Sequence, residues 1–170
     1  MNALGYRHTV SNGVRLVALE FVSLEEVRMS DQKLRALAQK MSGIDMTMFS
    51  TYSTHGRLDI RPMSNNGEVE YDGTSYYFAF EDSSVVKDIK RDEHVGLAFQ
   101  SKQGLYVAVD GKAKLTQDKV SMVERWTPSL EQWFKQGVET PGLTMIEVTA
   151  KRIRYWDTGS ADYDEGEIDR

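Results

Sequence analysis

From residue 44 to residue 116 the chain keeps alternating apolar and polar side chains, and it keeps stopping at glycine. A period of two places apolar groups on one face of a strand, and a glycine after it marks a turn. Residues 44–54 are rich in Thr, Tyr, Phe and Met, and His55-Gly56 ends them. Residues 57–64 alternate again, with Leu58 and Ile60 on one side. Pro62 has no N–H to give a ladder, so this strand must be interrupted, bulged or at an edge there. Asn65-Asn66-Gly67 and Asp72-Gly73 are turn signals, and 74–80 is a dense aromatic strand between that turn and a helix.

That helix opens at Asp82-Ser83-Ser84 and carries Val85, Val86 and Ile89 on one face. Strands follow at 94–100, 105–110 and 112–116, with a turn at Lys102-Gln103-Gly104 and an expected bulge at Gly111. Residues 118–126 read as a helix, and Pro128 suits the first turn of another through Gln136. Residues 143–148 and 152–156 are the last expected strands. Six or seven strands with a few short helices predict an α+β, mainly β chain: an antiparallel barrel with helical insertions.

A chain of 170 residues makes one domain with a real core. The formal charge of -5 gives no electrostatic reason to bind nucleic acid. There is no cysteine, which excludes disulfides, thiolate metal sites and cysteine nucleophiles, and fits a reducing, cytoplasmic setting. No apolar run approaches the roughly 20 residues that span a bilayer. His8, His55 and His94 are scattered, so no metal site is expected. Trp126, Trp133 and Phe134 read as core or interface.

The ends are expected to differ from the middle. Glu25-Glu26-Val27 just before Met29 is what a ribosome-binding site would encode in frame, so residues 1–28 are expected to be an extension or translated leader. The rival is a helix capped by Ser23-x-x-Glu26, against which Asp31 on its apolar face counts. On the first reading Ser30 caps a helix over 30–42. The domain then spans 29–157. The acidic tail, 158–170, is expected to be disordered.

Two segments carry chemistry. Ser83 and Ser84, the free N–H groups of a helix start and Lys87 one turn in would make an anion site. The plainer alternative is an ordinary helix cap. Arg61, on a strand broken by proline, offers a fixed charge and a fork of donors to a heterocycle carbonyl or a phosphate. The plainer alternative there is an edge-strand ion pair.

Taken in order, several pieces resemble the general stress protein branch of the pyridoxamine 5′-phosphate oxidase-like, FMN-binding split β-barrel superfamily. They are Met48-Phe49-Ser50-Thr51, His55-Gly56-Arg57-Leu58 leading to Arg61-Pro62-Met63, and Ser83-Ser84-Val85-Val86-Lys87-Asp88-Ile89 followed by Val95-Gly96-Leu97-Ala98-Phe99. Trp133-Phe134 and the closing Tyr155-Trp156-Asp157 complete the set. The resemblance implies a homodimer with flavin mononucleotide (FMN, or FAD) in a groove between subunits. It implies that Arg61, Met63 and Ser64 line the ring and ribityl chain, that Phe78, Ala79 and Phe80 contribute backbone, and that Ser83, Ser84 and Lys87 hold the phosphate. Tyr106 and Trp156 would reach the partner's flavin.

Pyridoxamine phosphate oxidases proper follow that tryptophan with a basic segment that grips the substrate phosphate. Here Asp157-Thr158-Gly159 and acidic residues follow, which argues against vitamin B6 oxidation. The functions left open are a flavin-dependent oxidoreductase with an unknown small redox partner, a non-enzymatic flavin carrier or redox sensor, and a split barrel using FAD, a deazaflavin or haem. No catalytic residue beyond the cofactor stands out.

Overall fold

The computed structural model describes residues 24–53, 55–66, 69–160 and 162–170. Helix α1 (Leu24–Met41) leads into strands β1 (Met46–Tyr52), β2 (Leu58–Ser64) and β3 (Thr74–Phe80). Helix α2 (Ser84–Arg91) precedes β4 (His94–Gln100) and β5 (Leu105–Thr116). Helix α3 (Lys119–Glu124) and two 3-10 turns, Pro128–Gln132 and Gly137–Glu139, lead to β6 (Leu143–Asp157) and β7 (Asp164–Asp169).

All strand pairs are antiparallel, in the order β2-β1-β4-β5-β6-β3, with β7 also on β6. The sheet curls without closing: β2 and β3 are its two ends. Tyr77 of β3 nevertheless reaches β1, packing edge-on against Phe49 at 5.1 Å and donating from Oη to Thr47 Oγ1 at 3.2 Å. The main core lies inside this curl, built from alternate residues such as Phe49, Leu97, Val107 and Ile146. Helix α2 adds Val85, Val86 and Ile89 to it. A second core, Phe78, Met122, Leu130, Phe134, Leu143 and Met145, lies under the 118–139 insertion. Pro62 sits in β2, an edge strand, one of the three options its missing N–H allowed.

The two strands expected at 143–148 and 152–156 are one 15-residue strand. The register steps between Asp110 and Gly111, so that Lys151 is an extra residue on β6. That slip changes which parity is buried, from Ile146, Val148 and Ala150 to Ile153, and so mimics a break in the sequence pattern. Gly111 is required there because a Cβ would lie 2.8 Å from the Thr149 carbonyl oxygen.

The N-terminal helix follows the longer alternative. It crosses Met29 unbroken and carries Ser30 inside it, not as a cap. Asp31 is tolerated because the Arg170 guanidinium meets it at 2.9 Å. Residues 1–23 of the expected leader lie outside the described residues. The 158–170 tail, expected to be disordered, instead contains β7. It pairs with β6 from Arg152↔Asp169 to Asp157↔Asp164, along the same edge that β3 uses further back. Its backbone bonds come from the ladder and its one buried aliphatic, Ile168, joins the main core, so acidic composition did not prevent order. The second helix expected through Gln136 is only the short 3-10 turns.

Candidate functional site

The residues named from sequence fall into two groups. The first surrounds the open side of the sheet. Strands β2 and β3 each pair on one side only, so each leaves a row of backbone N–H and C=O groups outside the ladder. Helix α2 packs against β1, β5 and β3. Ser83 begins the helix, and its carbonyl accepts from the Lys87 N–H at 3.1 Å. Its side chain makes no capping bond, and its Oγ is buried without a hydrogen-bond partner among the described residues. Ser84 and Lys87 are exposed beside it. Glu81 is held by the Gln117 amide at 3.0 Å.

Arg61 projects from β2 toward the same helix. Its Nη1 donates to Thr51 Oγ1 at 2.8 Å and its Nη2 to Asp88 Oδ2 at 3.3 Å. Thr51 in turn donates to Asp88 at 2.7 Å. Two of the five guanidinium N–H groups are thereby used, and a fifth of the side chain stays exposed. The edge-strand ion pair is therefore real, and its partner is buried. Met63 packs against the main core and stays partly exposed. Ala79 belongs to that core and Phe78 to the second one, while Phe80 leans on Phe134 at 5.3 Å. The Phe80 side chain stays exposed, and the outer backbone edge of β3 lies outside the ladder.

The second group lies on the outer face. Tyr106 and Trp156 are cross-strand partners on β5 and β6. The Arg154 guanidinium lies 5.8 Å from the Trp156 ring centre. Ser64 shares this outer face through its partner Met46. Around them Met46, Met48, Tyr52, Leu58 and Ile60 are exposed, a continuous apolar band over β1 and β2. Within one chain the sheet separates this group from Arg61 and α2.

Two features escaped the sequence reading. Asp88 shares the apolar face of α2 with Val85, Val86 and Ile89, a placement visible in the helical spacing. The other is a cavity of about 500 Å³ between α1, the β2–β3 connection and β3, lined in part by Met41, Asn65, Asn66, Tyr71, Ser75 and Phe99. Burial pushes the Tyr71 hydroxyl's pKa up, and its Oη has no hydrogen-bond partner among the described residues. Its walls come from distant segments, and no sequence signal marks it.

The family model described as pyridoxamine 5′-phosphate oxidase-like matches residues 32–164. The chain belongs to this family. It is 28% identical over 136 residues to Protein bli-3 of Neurospora crassa, a match covering 74% of this chain and 65% of that protein's length. Solved structures share its fold. A protein related to general stress protein 26, from Clostridium acetobutylicum, superposes with a TM-score of 0.67 at 17% identity, covering 81% of this chain and 96% of that one. General stress protein 26 of Bacillus anthracis gives 0.63 at 18% identity, with 85% and 98% covered. The general stress FMN/FAD binding protein of Xanthomonas citri gives 0.64 at 20% identity, with 77% and 93% covered. The fold is thus the open, mainly antiparallel split barrel that the resemblance implied. Among the described residues no helix is long and apolar enough to cross a membrane.

Proposed function

We propose that this chain binds FMN as a homodimer and serves as a flavin-dependent oxidoreductase of the general stress type in the cytoplasm. The observation that carries the reading is the Ser83 hydroxyl. It sits at the start of α2, buried and, among the described residues, without a partner, instead of capping the helix. A buried hydroxyl without a partner is costly, and a phosphate oxygen would supply one. Ser84, Lys87 and the first-turn N–H groups would complete that anion site. The free edges of β2 and β3 suit the polar rim of a planar ring, and the donors left on Arg61 suit a ring carbonyl. A Xanthomonas citri protein of the same fold is named for FMN/FAD binding, which supports the reading.

When bound, the flavin would supply the electron chemistry. The chain's part is to bind, orient and shield it. The apolar outer band is read as the face that meets a second copy, which would bring Tyr106 and Trp156 to the partner's groove. Acidic Glu165 stands opposite Trp156 on β7, a setting that disfavours a phosphorylated substrate.

The test is the visible spectrum of the purified protein, followed by titration of the apoprotein with FMN and FAD. Flavin bands and FMN binding support the proposal. A haem Soret band, or no uptake of either flavin, overturns it. Steady turnover of NAD(P)H with an added acceptor separates an oxidoreductase from a flavin carrier.

A further inference from the structure

We infer that Asp88 is a positioning residue of the flavin site, which fixes through Thr51 the direction and the net charge that Arg61 presents to the ligand. The inference rests on the flavin reading above. Asp88 is only 4% exposed, on a helix face otherwise made of valine and isoleucine. A carboxylate in such a place must be paired and hydrogen-bonded, or it destabilises the fold. Its Oδ2 has both kinds of partner: the Thr51 hydroxyl at 2.7 Å and the Arg61 guanidinium at 3.3 Å.

The hydrogen bonds run one way. Thr51 has a single hydroxyl proton and gives it to Asp88, so its lone pair faces Arg61 Nη1 at 2.8 Å. Arg61 is therefore held at two nitrogens by groups from β1 and α2, and its rotation is fixed. Asp59 adds a second carboxylate 3.8 Å from Nη2 on the exposed side. A ligand at the β2 edge thus meets an oriented guanidinium whose charge is largely balanced, not a lone cation. A flavin gains negative charge on reduction. A balanced neighbour favours that gain less than a free arginine would, so Asp88 holds the flavin at a lower potential.

Anchoring α2 does not need Asp88. Val85, Val86 and Ile89 already bury the helix, and the Arg91 guanidinium donates to the Tyr52 and Ser53 carbonyls at the end of β1. A purely structural ion pair between β2 and α2 would affect stability alone.

The experiment uses the full chain loaded with FMN. Asp88→Asn keeps shape and acceptor but removes the charge. Thr51→Val keeps both charges but removes the orienting hydroxyl. Midpoint potential, FMN affinity and melting temperature are measured for each. Asp88→Asn is expected to raise the potential, and Arg61→Gln, which leaves the carboxylate without its balancing charge, to lower it. Thr51→Val is expected to weaken FMN about tenfold, the loss of roughly one oriented hydrogen bond. If the wild type binds FMN but neither variant moves potential or affinity, whatever the melting temperatures, the pair is a strut and the inference falls while the flavin reading stands. If Asp88→Asn does not fold, unchanged potential and affinity in Thr51→Val overturn the inference alone. No FMN uptake by the wild type overturns both.

Discussion

Ile168 of β7 lies opposite Ile153 of β6, and both side chains are buried in the main core. The C-terminal strand is therefore part of the fold. Ile168→Ala removes three carbons from a closed core and should cost about 2–4 kcal/mol in urea unfolding. Deleting 158–170 should cost more, because Ile153 loses its cover and Asp31 loses Arg170. A truncated chain with wild-type unfolding would show that β7 adds nothing to stability.

That strand also marks where sequence reading stopped. Residues 164–169 bury one side chain in an otherwise exposed acidic run, so composition spoke for solvent. Order there comes from backbone pairing with β6, which leaves no trace in side-chain type. The bulge at Gly111 was legible, but its consequence was not: one extra residue in β6 made a single strand look like two. In the candidate site, Ser83 was legible as a residue at a helix start, Lys87 as a charge one turn in, and Arg61 as a charge beside the proline that interrupts its strand pattern. The partner of Arg61 was overlooked although Asp88 stands in an apolar helical stripe. The cavity beside Tyr71 depends on how α1 lies across the β2–β3 connection, a tertiary fact without local pattern.

The ion pair between Lys40 and Asp157, 2.7 Å long, ties α1 to the end of β6 and sets two pH limits. The hydrogen bond from Lys40 holds the Asp157 carboxyl below the usual carboxylate range. The same bond raises the Lys40 ammonium above its ordinary value. Asp157 thus contributes stability above its unfolded pKa of about 4, lost as pH falls through its lower folded value. Lys40 contributes stability below its unfolded pKa of about 10.4, lost as pH rises through its higher folded value. Asp157→Asn should flatten the melting-temperature profile at both ends. A mutant profile parallel to the wild type throughout would show the pair to be uncoupled from folding.

The outer band predicts its own assembly test. Met48 and Ile60 are exposed on adjacent strands of one face. Replacing both by lysine places charge in the proposed interface without touching either core. Sedimentation should show a wild-type dimer and a variant monomer at micromolar concentration, with melting of the barrel little changed. FMN affinity should fall with assembly, because Tyr106 and Trp156 act from the partner in this reading. A wild-type monomer that holds flavin would remove the interface from the proposal.

The phosphate assignment is tested by asking what Ser83 costs when no ligand is present. Its Oγ is buried and has no partner among the described residues, so Ser83→Ala should leave the apoprotein as stable as the wild type or slightly more so. A plain helix cap behaves otherwise, since losing one typically costs about 1 kcal/mol. The same change should weaken FMN, and Lys87→Ala should weaken it by about 1–3 kcal/mol, the scale of a hydrogen bond to a charged group. Riboflavin lacks the phosphate, so its affinity should barely move in either variant. Arg61→Ala should weaken both ligands alike if the arginine serves the ring. Quenching of flavin fluorescence gives every affinity, and urea unfolding gives the apoprotein stability. Equal losses for riboflavin and FMN in Lys87→Ala would move the phosphate elsewhere. A destabilised Ser83→Ala apoprotein would return Ser83 to the role of a cap.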